Sequence, residues 1–363
     1  MILIDEINHY FCIVFSCSII LWLERCRYDL YDPRQPDRCN ACRHAGDEES
    51  QAPMTKKPFP AAWIEQEKNA EPLRAKSLLM TLFGDAIAPH GGTIWLGSLI
   101  ELMAPFGVSD RLVRTRVFRL TEEGWLASSR NGRRSAYSIT DEALKRFGQA
   151  YRRVYAPLEP AWDGYWVLLF ATHADIAPSK RALFRKQLAW DGFGMISPGV
   201  YAHPAPEPDA ISDLLERFDL REQLFVAKAR DLPDSGGKPL GAAVGETWAL
   251  DEVRDGYLRF IERFAPLADG LGLGKAEVSP EQAFVIRTLL IHAFRRVQLH
   301  DPKLPSALLP EAWPGNDSYA LCRDIYRQVY EAAEAWLLAA LRREDEGAGE
   351  AAPYFHERFG GLR

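Results

Sequence analysis

The segment Ser109–Thr140 constrains the fold of this 363-residue chain more than any other stretch. Ser109 is a favourable N-cap, because its hydroxyl can accept a hydrogen bond from an unpaired amide of the first helical turn. At about 100° per residue, the apolar residues on one helical face are Val113, Val117 and Leu120. Gly124 ends the helix, and Asn131-Gly132 is typical of a two-residue hairpin turn. The segment therefore predicts an amphipathic helix followed by a β-hairpin.

Arginine residues crowd the polar side of this segment. The range Arg111–Arg134 contains seven arginines and two acids, which leaves a local charge of +5, whereas the whole chain carries −6. Such a local reversal of sign is the electrostatic pattern of a phosphate-binding surface. The residues that we predict to contact DNA are Arg111, Arg114, Thr115, Arg116, Phe118, Arg119, Arg130, Arg133 and Arg134. The alternative interpretation is a solvated amphipathic helix beside a basic loop.

The predicted contacts on the helix differ in kind. Arg111, Arg114 and Thr115 lie on the face that would enter the major groove and read base edges. Arg116 lies on the flank, where a phosphate contact and an ion pair with an acid of the same chain are both open. Phe118 can touch a thymine methyl group or pack under the hairpin, and we favour packing.

The hairpin supplies the other predicted contacts. Its strands, Trp125–Arg130 and Arg133–Thr140, flank the turn and would place Arg130 opposite Arg133. Arg134 extends this cluster. We expect these arginines to hold phosphates or to reach into the minor groove, which gives affinity that is sensitive to salt.

The elements around this segment follow the order helix, strand, helix, turn, helix and hairpin. Ala75–Phe83 has apolar residues at helical spacing, Thr93–Trp95 is a short strand, and Gly97–Ala104 is a second helix. This order predicts a winged helix-turn-helix over residues 70–150. Asp141–Tyr155 would continue as a linking helix.

Residues 157–232 predict a second domain. Tyr165–Phe170 is typical of a buried strand, and Ser179–Trp190 of a helix. Two short strands over residues 194–196 and 200–202, a helix over Asp209–Phe218 and a strand over Gln223–Ala229 follow. The order β-α-β-β-α-β indicates a ferredoxin-like fold.

We predict no enzymatic activity. The ferredoxin-like region has no nucleophile–base pair, so no catalytic residue is assigned and no cofactor is expected. A metal-dependent nuclease is a remote alternative, in which Asp175 would be the carboxylate after the first strand. Cys39-x-x-Cys42 lacks the second pair that a zinc site needs, so no metal site is expected either.

The last third of the chain predicts an α-helical domain over residues 245–344. Its helices are expected at Thr247–Ala268, Pro280–Gln298 and Asp317–Arg343. A flexible joint near residues 236–237 precedes them, and a long Pro-rich loop separates the last two. This domain would serve ligand binding or dimerisation. Because residues 345–363 begin with a Gly-, Ala- and Glu-rich run, we predict a flexible tail.

Residues 1–53 do not resemble the rest of the chain. Tyr10–Leu23 is an apolar run that is too short for a comfortable transmembrane helix, so no membrane association is expected. We expect residues 1–53 to be a non-native or disordered extension and Met54 to be the native start, followed by a loose lead. In the body, Cys322 is the one cysteine, which suits a reducing cytoplasm.

Nine short segments along residues 75–350 carry a family resemblance. They are Ser77–Asp85, Val113-Arg114-Thr115, Arg119-Leu120, Glu123–Leu126, Trp162–Trp166, Phe294-Arg295-Arg296, Asp301–Pro305, Leu308-Leu309-Pro310 and Trp313-Pro314-Gly315. With these segments in this order, the body of the chain resembles the PaaX-like transcriptional regulators, the repressors of phenylacetic-acid degradation operons.

This resemblance implies an α+β architecture: an N-terminal winged helix-turn-helix, a central ferredoxin-like (Cas2-like) domain and a C-terminal α-helical domain. It also implies a cytoplasmic homodimer that occupies a double-stranded palindromic operator and is released by an effector, phenylacetyl-CoA or a related aryl-acyl-CoA. A DNA-binding dimer without small-molecule control is the alternative.

An acyl-CoA needs cations for its phosphates and an apolar slot for its acyl group. The residues that we predict for this role are Arg287, His292, Arg295, Arg296, His300 and Trp313. The competing interpretation is structural: the arginines can pair with acids, and Trp313 can belong to the core. For His292, a hydrogen-bonded core histidine is the favoured interpretation.

Overall fold

Helices and antiparallel strands alternate along the chain. The computed structural model describes residues 59–70, 73–156, 162–171, 176–206, 209–232, 237–272 and 277–362. The elements of its N-terminal part are α1 (Phe59–Ala70), α2 (Ala75–Leu82), β1 (Thr93–Trp95), α3 (Leu96–Met103), α4 (Asp110–Glu122), β2 (Leu126–Asn131), β3 (Arg134–Ile139) and α5 (Asp141–Tyr155). We call α2 to β3 the N-terminal module.

Three helices and a three-stranded sheet make up the N-terminal module. β3 lies between β1 and β2 and is antiparallel to both, with Ile94 opposite Tyr137 and Leu126 opposite Ile139. The helices meet along their apolar faces, and side chains with no exposed surface there are Leu78, Leu79, Phe83, Leu99, Leu102, Val113, Val117 and Leu120. The predicted order of elements is confirmed, because hydrophobic periodicity marks these buried faces directly.

The hairpin turn differs by one residue from the prediction. Asn131 pairs with Arg134 and Arg130 pairs with Ser135, so the loop residues are Gly132 and Arg133. Gly132 has a φ of +61°, whereas Arg133 is not among the non-glycine residues with positive φ. A left-handed residue at the first loop position alone fits a type II′ turn, while the predicted Asn-Gly turn needs positive φ at both positions. The predicted pairing of Arg130 with Arg133 is therefore wrong.

The segment before residue 75 contains a helix that the sequence prediction missed. α1 buries Trp63 and Ile64. The indole Nε1 of Trp63 donates to the carbonyl oxygen of Arg263 at 3.3 Å, and its ring lies 5.4 Å from that of Phe264. Glu67 forms an ion pair with Arg263. The apolar residues Trp63 and Ile64 could have indicated this helix. We instead expected an irregular segment, because prolines and lysines precede them.

The central module is a four-stranded antiparallel sheet with two helices. Its elements are β4 (Trp166–Phe170), α6 (Pro178–Trp190), β5 (Gly194–Ser197), β6 (Val200–His203), α7 (Ala210–Phe218) and β7 (Phe225–Ala229). With this connectivity, the strand order β5-β6-β4-β7 is the ferredoxin-like arrangement that was predicted. Leu169, Phe184 and Phe218 join the sheet to the helices, while Trp166 packs toward Trp248 in a second cluster.

The C-terminal helices share a core with the N-terminal module. They are α8 (Val244–Thr247), α9 (Leu250–Gly272), α10 (Pro280–Gln298) and α11 (Gly315–Arg342). Ser279 and Gln282 form a capping box at the start of α10. One hydrophobic cluster contains Leu78 of α2 together with Phe294 and Leu337 of α10 and α11. The domain boundaries drawn from the sequence stay predictions.

The end of the chain is packed, contrary to the predicted flexible tail. A 3-10 stretch covers Pro353–Gly360, and Phe355, Arg358 and Phe359 are buried. The prediction relied on the Gly-, Ala- and Glu-rich composition of residues 345–351, and most of those residues are indeed exposed. The two phenylalanines beyond them supply the apolar surface that packs onto the protein.

A buried group of charges lies where α2 meets the C-terminal helices. Asp85 belongs to a π-helical turn that continues α2, and its Oδ2 lies 3.0 Å from Nε of Arg287 in α10. Arg287 also pairs with Glu334 of α11, whose Oε2 lies 2.9 Å from Nε2 of His90. Burial raises the pKa of Glu334, but Arg287 and the hydrogen bond from His90 outweigh burial and lower the pKa to about 2.

Glu334→Gln is expected to lower the free energy of unfolding at neutral pH, because Arg287 then loses a charged partner. The pKa of Glu334 rises from about 2 in the fold to 4.5 on unfolding. Ionisation of Glu334 therefore contributes about 3 kcal/mol to the free energy of unfolding above pH 4.5, and this contribution shrinks as the pH falls toward 2. Urea unfolding should show a large difference between wild type and variant at pH 7 and a smaller one near pH 3. A difference independent of pH would contradict the ion pair.

Candidate nucleic-acid interface

α4 presents its polar face to solvent because its apolar face is fixed in the core. The helix begins after Ser109, which has an extended conformation with φ −68° and ψ 151°. The Ser109 hydroxyl makes no cap hydrogen bond, so the predicted side-chain cap is wrong. Its carbonyl oxygen accepts from the amide of Val113 at 3.0 Å. Val113 is fully buried, which sets the rotation of the helix.

Eight of the nine residues predicted to contact DNA are exposed, and Arg116 is half-buried. Phe118 exposes 60% of its surface, so it does not pack under the hairpin and the packing prediction is wrong. Its ring is therefore in contact with solvent and surrounded by cations. The outward face of α4 is therefore a cationic surface with one apolar group in it.

Most arginines of this surface lack an acidic partner in the described part of the chain. No carboxylate there lies within ion-pair distance of Arg111, Arg119 or the hairpin arginines. Arg114 is the exception, since its Nε donates to Oδ1 of Asp110 at 2.6 Å. Both side chains are more than half exposed, and water weakens an ion pair in that setting. The positive charge of the surface is therefore available to an anionic partner.

The hairpin spreads its arginines over both faces and the tip. Residues that are directly opposite in an antiparallel pair point to the same face. Arg130 therefore shares a face with Ser135, while Arg134 shares the other face with Asn131. Arg133 occupies the turn. The corrected register replaces the single predicted cluster with three exposed arginines that surround the tip.

Arg146 of α5 is a cation beside the hairpin that the sequence prediction missed. Its guanidinium lies 5.2 Å from the ring centroid of Trp125, at the start of the hairpin. Phe147 packs edge-on against the same indole, with centroids 5.8 Å apart. The cation–π contact and the ring contact fix α5 to the base of the hairpin. Residues so far apart in sequence give no local pattern that predicts such a contact.

Three of the residues predicted to bind an acyl-CoA lie inside the protein. Arg287 has no exposed surface and is held by two carboxylates, so the structure contradicts a ligand role for it. His292 shares a 2.9 Å hydrogen bond with Oγ1 of Thr81, and burial lowers its pKa to about 3, which keeps it neutral. Arg295 donates to the same hydroxyl at 3.1 Å. His292 and Arg295 thus tie α10 to α2.

The other three predicted ligand residues lie at the end of α10 and in the loop after it. Arg296 and His300 are exposed, and Nδ1 of His300 lies 2.7 Å from the carbonyl oxygen of Arg296. Trp313 is half-buried and packs edge-on against Tyr257, with centroids 6.0 Å apart. Of the six residues, only Arg295 lines the cavity of about 30 Å³ between α2, α5 and α10. That volume suits a water molecule and not an acyl group.

Three family models match the chain in sequence order. They are the PaaX-like protein at residues 74–143, the PaaX protein central Cas2-like domain at residues 159–239 and the PaaX-like protein C-terminal domain at residues 248–339. The chain is also 40% identical over 303 residues to Transcriptional repressor PaaX of Escherichia coli (strain K12), covering 83% of this chain and 94% of that protein. The chain belongs to the PaaX family. The predicted resemblance and the Cas2-like assignment of the central module are thereby confirmed.

Among solved structures, the PaaX-family chain is similar to Uncharacterized protein Rv0674 from Mycobacterium tuberculosis, with 25% identity and a TM-score of 0.46, over 72% of this chain and 97% of that one. In the part of the chain that the structure describes, no three His, Cys, Asp or Glu side chains are grouped to hold a metal ion. No helix in the same part is long and apolar enough to cross a membrane. Residues 1–53, with the Cys39-x-x-Cys42 motif, and Asp175 lie outside the described residues.

Asp110→Asn is expected to increase the affinity for duplex DNA and to steepen its dependence on salt, because Arg114 is released from its carboxylate. Fluorescence anisotropy at several salt concentrations measures both quantities. Glu122→Gln is the matched control, since it removes one exposed negative charge from the same helix without releasing Arg114. Equal effects of the two substitutions would show that general charge, and not the freed Arg114, accounts for the change.

Proposed function

We propose that this PaaX-family protein is a DNA-binding transcriptional repressor of a phenylacetate catabolic operon. The observation that carries the proposal is the open cationic face of α4, where exposed arginines surround Phe118. Guanidinium groups can fork onto O6 and N7 of guanine, and an exposed aromatic ring can contact a thymine methyl group. The name of the E. coli relative, a transcriptional repressor, supports the same function. A repressor is a regulator and not an enzyme.

The proposed mode of binding is that of a winged helix-turn-helix. α3 and α4 are joined by a 3-10 turn at Ala104–Phe106 and by Gly107, which has a φ of +74°. In this arrangement the second helix enters the major groove. The β2–β3 hairpin would then be the wing, with Arg130 and Arg134 on its two faces and Arg133 at its tip. Both faces of such a wing can reach phosphates of the flanking backbone.

We propose a homodimer on a palindromic operator. Two copies of α4 that are about 34 Å apart would occupy successive major grooves on one side of the duplex. The size of the cationic surface supports this proposal. The one α4 helix and the one wing of a protomer can cover only a single half-site of such an operator. A second protomer on a second half-site doubles the number of base contacts, although the basic surface of each protomer stays the same.

We propose phenylacetyl-CoA or a related aryl-acyl-CoA as the effector that releases the repressor. Arg296 and His300, next to each other at the end of α10, are the predicted cations that lie on the surface, and their side chains could turn toward phosphates of the ligand. The half-buried Trp313 remains available to an acyl group. Because the cavity of about 30 Å³ that Arg295 lines is too small for an acyl chain, this proposal places the ligand at the loop after α10. A dimer without small-molecule control is the alternative.

Arg114→Ala is expected to reduce operator affinity by about 1–3 kcal/mol with little loss on random duplex, because base contacts carry the sequence preference. Arg133→Ala should weaken both duplexes alike and reduce the salt slope by about 1, because it removes a phosphate contact. Arg254→Ala, an exposed arginine of α9 paired with Asp251 and Asp255, is the control that should change neither. Identical losses on both duplexes for Arg114→Ala and Arg133→Ala would overturn the assigned roles.

Phenylacetyl-CoA is expected to dissociate the protein from DNA taken upstream of its own gene. A gel shift with and without the acyl-CoA tests release, and calorimetry with phenylacetyl-CoA and with free phenylacetate tests recognition of the coenzyme. We expect binding of the acyl-CoA alone. Equal affinity for both compounds, or unchanged operator binding in the presence of the acyl-CoA, would favour the unregulated dimer.

A further inference from the structure

The C-terminal stretch inserts a guanidinium group into a closed aromatic site. Arg358 is fully buried. Its Cζ lies 4.2 Å from the ring centroid of Tyr155, 4.4 Å from Phe355, 5.3 Å from Tyr151 and 5.8 Å from Tyr326. Rings at these distances attract a cation through their negative faces, and the attraction is strongest where water is excluded. Four rings therefore form a cage for this one group.

The polar end of the same site is Asp85. Nη1 of Arg358 donates to Oδ1 of Asp85 at 2.9 Å, and Nη2 donates to the backbone carbonyl oxygen of Asp85 at 2.9 Å. The hydroxyl of Tyr155 donates to the same Oδ1 at 2.6 Å, and Nη1 also contacts the hydroxyl of Tyr326. A forked donor that meets a side-chain and a backbone acceptor at once requires the planar geometry of arginine.

The residues that form this site come from separate parts of the fold. Asp85 belongs to the turn after α2 of the N-terminal module, Tyr151 and Tyr155 to the linking helix α5, and Tyr326 to α11. Arg358 is the group at which all of them meet. Its position makes the C-terminal stretch a strap across the junction between the N-terminal module and the C-terminal helices.

Hydrogen bonds to backbone carbonyl oxygens hold the strap at several points. The amide of Ala352 donates to the carbonyl oxygen of Pro89 at 2.9 Å. The hydroxyl of Tyr151 donates to the carbonyl oxygen of Tyr354 at 2.6 Å, and Nε of Arg327 donates to that of Gly361 at 3.1 Å. The connecting residues 345–350 are mostly exposed. The strap is therefore attached by these bonds, by Arg358 and by the buried rings of Phe355 and Phe359, while its exposed connection would allow it to open without unwinding α11.

The closed strap contains one strained residue. Phe359 has a φ of +56°, in the left-handed region, although it is bulky and not glycine. It is buried, and its ring contacts Tyr155 at 5.3 Å and Tyr319 at 5.5 Å. Such a conformation persists only where surrounding contacts hold it. Release of the strap would relieve this strain.

Withdrawal of Arg358 would also unbalance the buried charges. With the strap closed, two carboxylates, Asp85 and Glu334, face two guanidinium groups, Arg287 and Arg358. Without Arg358, Asp85 and Glu334 share Arg287, with His90 as the further partner of Glu334, and Asp85 loses donors on both its side chain and its backbone. A buried charge without enough partners is strongly unfavourable. The turn after α2 would therefore rearrange when the strap opens.

We propose that Arg358 is an intramolecular ligand of a guanidinium-binding site, and that occupancy of this site holds the N-terminal module in the arrangement that binds DNA. Opening of the strap is the step that weakens DNA binding. The DNA half of this inference rests on the proposed function, while the guanidinium site stands on the contacts alone.

The site itself is tested without DNA. Arg358→Ala should lower Tm by on the order of 10 °C, and ethylguanidinium at millimolar concentration should restore part of that loss. Arg358→Lys should be almost as damaging, since lysine cannot fork or stack, and Arg254→Ala should leave Tm unchanged. The ethylguanidinium effect should be absent in wild type. Failure of ethylguanidinium to raise the Tm of Arg358→Ala would overturn the site.

Hydrogen exchange on the wild-type protein covers the case in which Arg358→Ala does not fold. The amides of Gly361 and Leu362, which are bonded within the strap, should exchange by a local opening, faster than those in the centre of α10. Amides of the turn after α2 should share that opening. Exchange of the strap only with global unfolding would exclude a strap that opens and would overturn the proposal.

Measurement of operator affinity tests whether occupancy of the guanidinium site is coupled to DNA binding. At a temperature well below its Tm, Arg358→Ala should bind the operator weaker by on the order of tenfold, and ethylguanidinium should restore binding. Unchanged affinity of the folded variant would make Arg358 a stability element only and would overturn the coupling. If wild type itself does not bind the operator, the proposed function fails, while the Tm and exchange results still decide the guanidinium site.

Discussion

The ion pair between Asp85 and Arg287 is the interaction on which the rest of the structure depends. Both groups are buried, so separating them would leave Asp85 with Arg358 and Arg287 with Glu334 as the remaining charged partner in a poorly solvated place. The pair joins α2 of the N-terminal module to α10, and Glu334 extends it to α11. The hydrogen bond between Thr81 and His292 adds a second tie between α2 and α10. The N-terminal module and the C-terminal helices therefore have to move as one unit or to break this polar junction.

This constraint bears on how an effector could act. A hinge between the N-terminal module and the C-terminal helices would expose a shared hydrophobic core as well as the polar junction, and it is therefore costly. The central module is attached by a smaller hydrophobic cluster, in which Trp166 packs toward Trp248, and by two hydrogen bonds. Nε1 of Trp248 donates to the carbonyl oxygen of Gly192 at 2.9 Å, and Nε2 of His203 lies 2.9 Å from the carbonyl oxygen of Pro302. In a dimer, release from an operator could come from a change in the spacing between protomers, with each α4 surface left intact. The proposed effector site at the end of α10 is close to this weaker attachment, whereas opening of the C-terminal strap would act inside each protomer.

Local pattern predicted the helices and strands, and distant contacts explain where prediction failed. The buried face of α4 and the bounds of α5 and α10 follow from periodicity and capping, which the sequence contains. The hairpin register was missed because an Asn-Gly pair fits two turn types, and only the strand pairing selects one. The ligand role for Arg287 failed because its partner, Asp85, is some two hundred residues away. The prediction of a flexible tail failed for the same reason. Its apolar residues are few, and only contacts with residues far away in the sequence show that they are packed.

The distribution of charge explains how a protein of net charge −6 can be specific for DNA. A duplex is repelled by most of an acidic surface and attracted where the arginines of α4 and the hairpin are concentrated, so approach is directed to one face. Phosphate contacts alone would hold any sequence equally well. In the proposed binding mode, Phe118 would add an interaction that has no phosphate component, because an apolar ring gains from contact with a methyl group and loses against a polar base edge. A small basic patch with an apolar centre therefore favours discrimination between sequences over affinity for DNA in general.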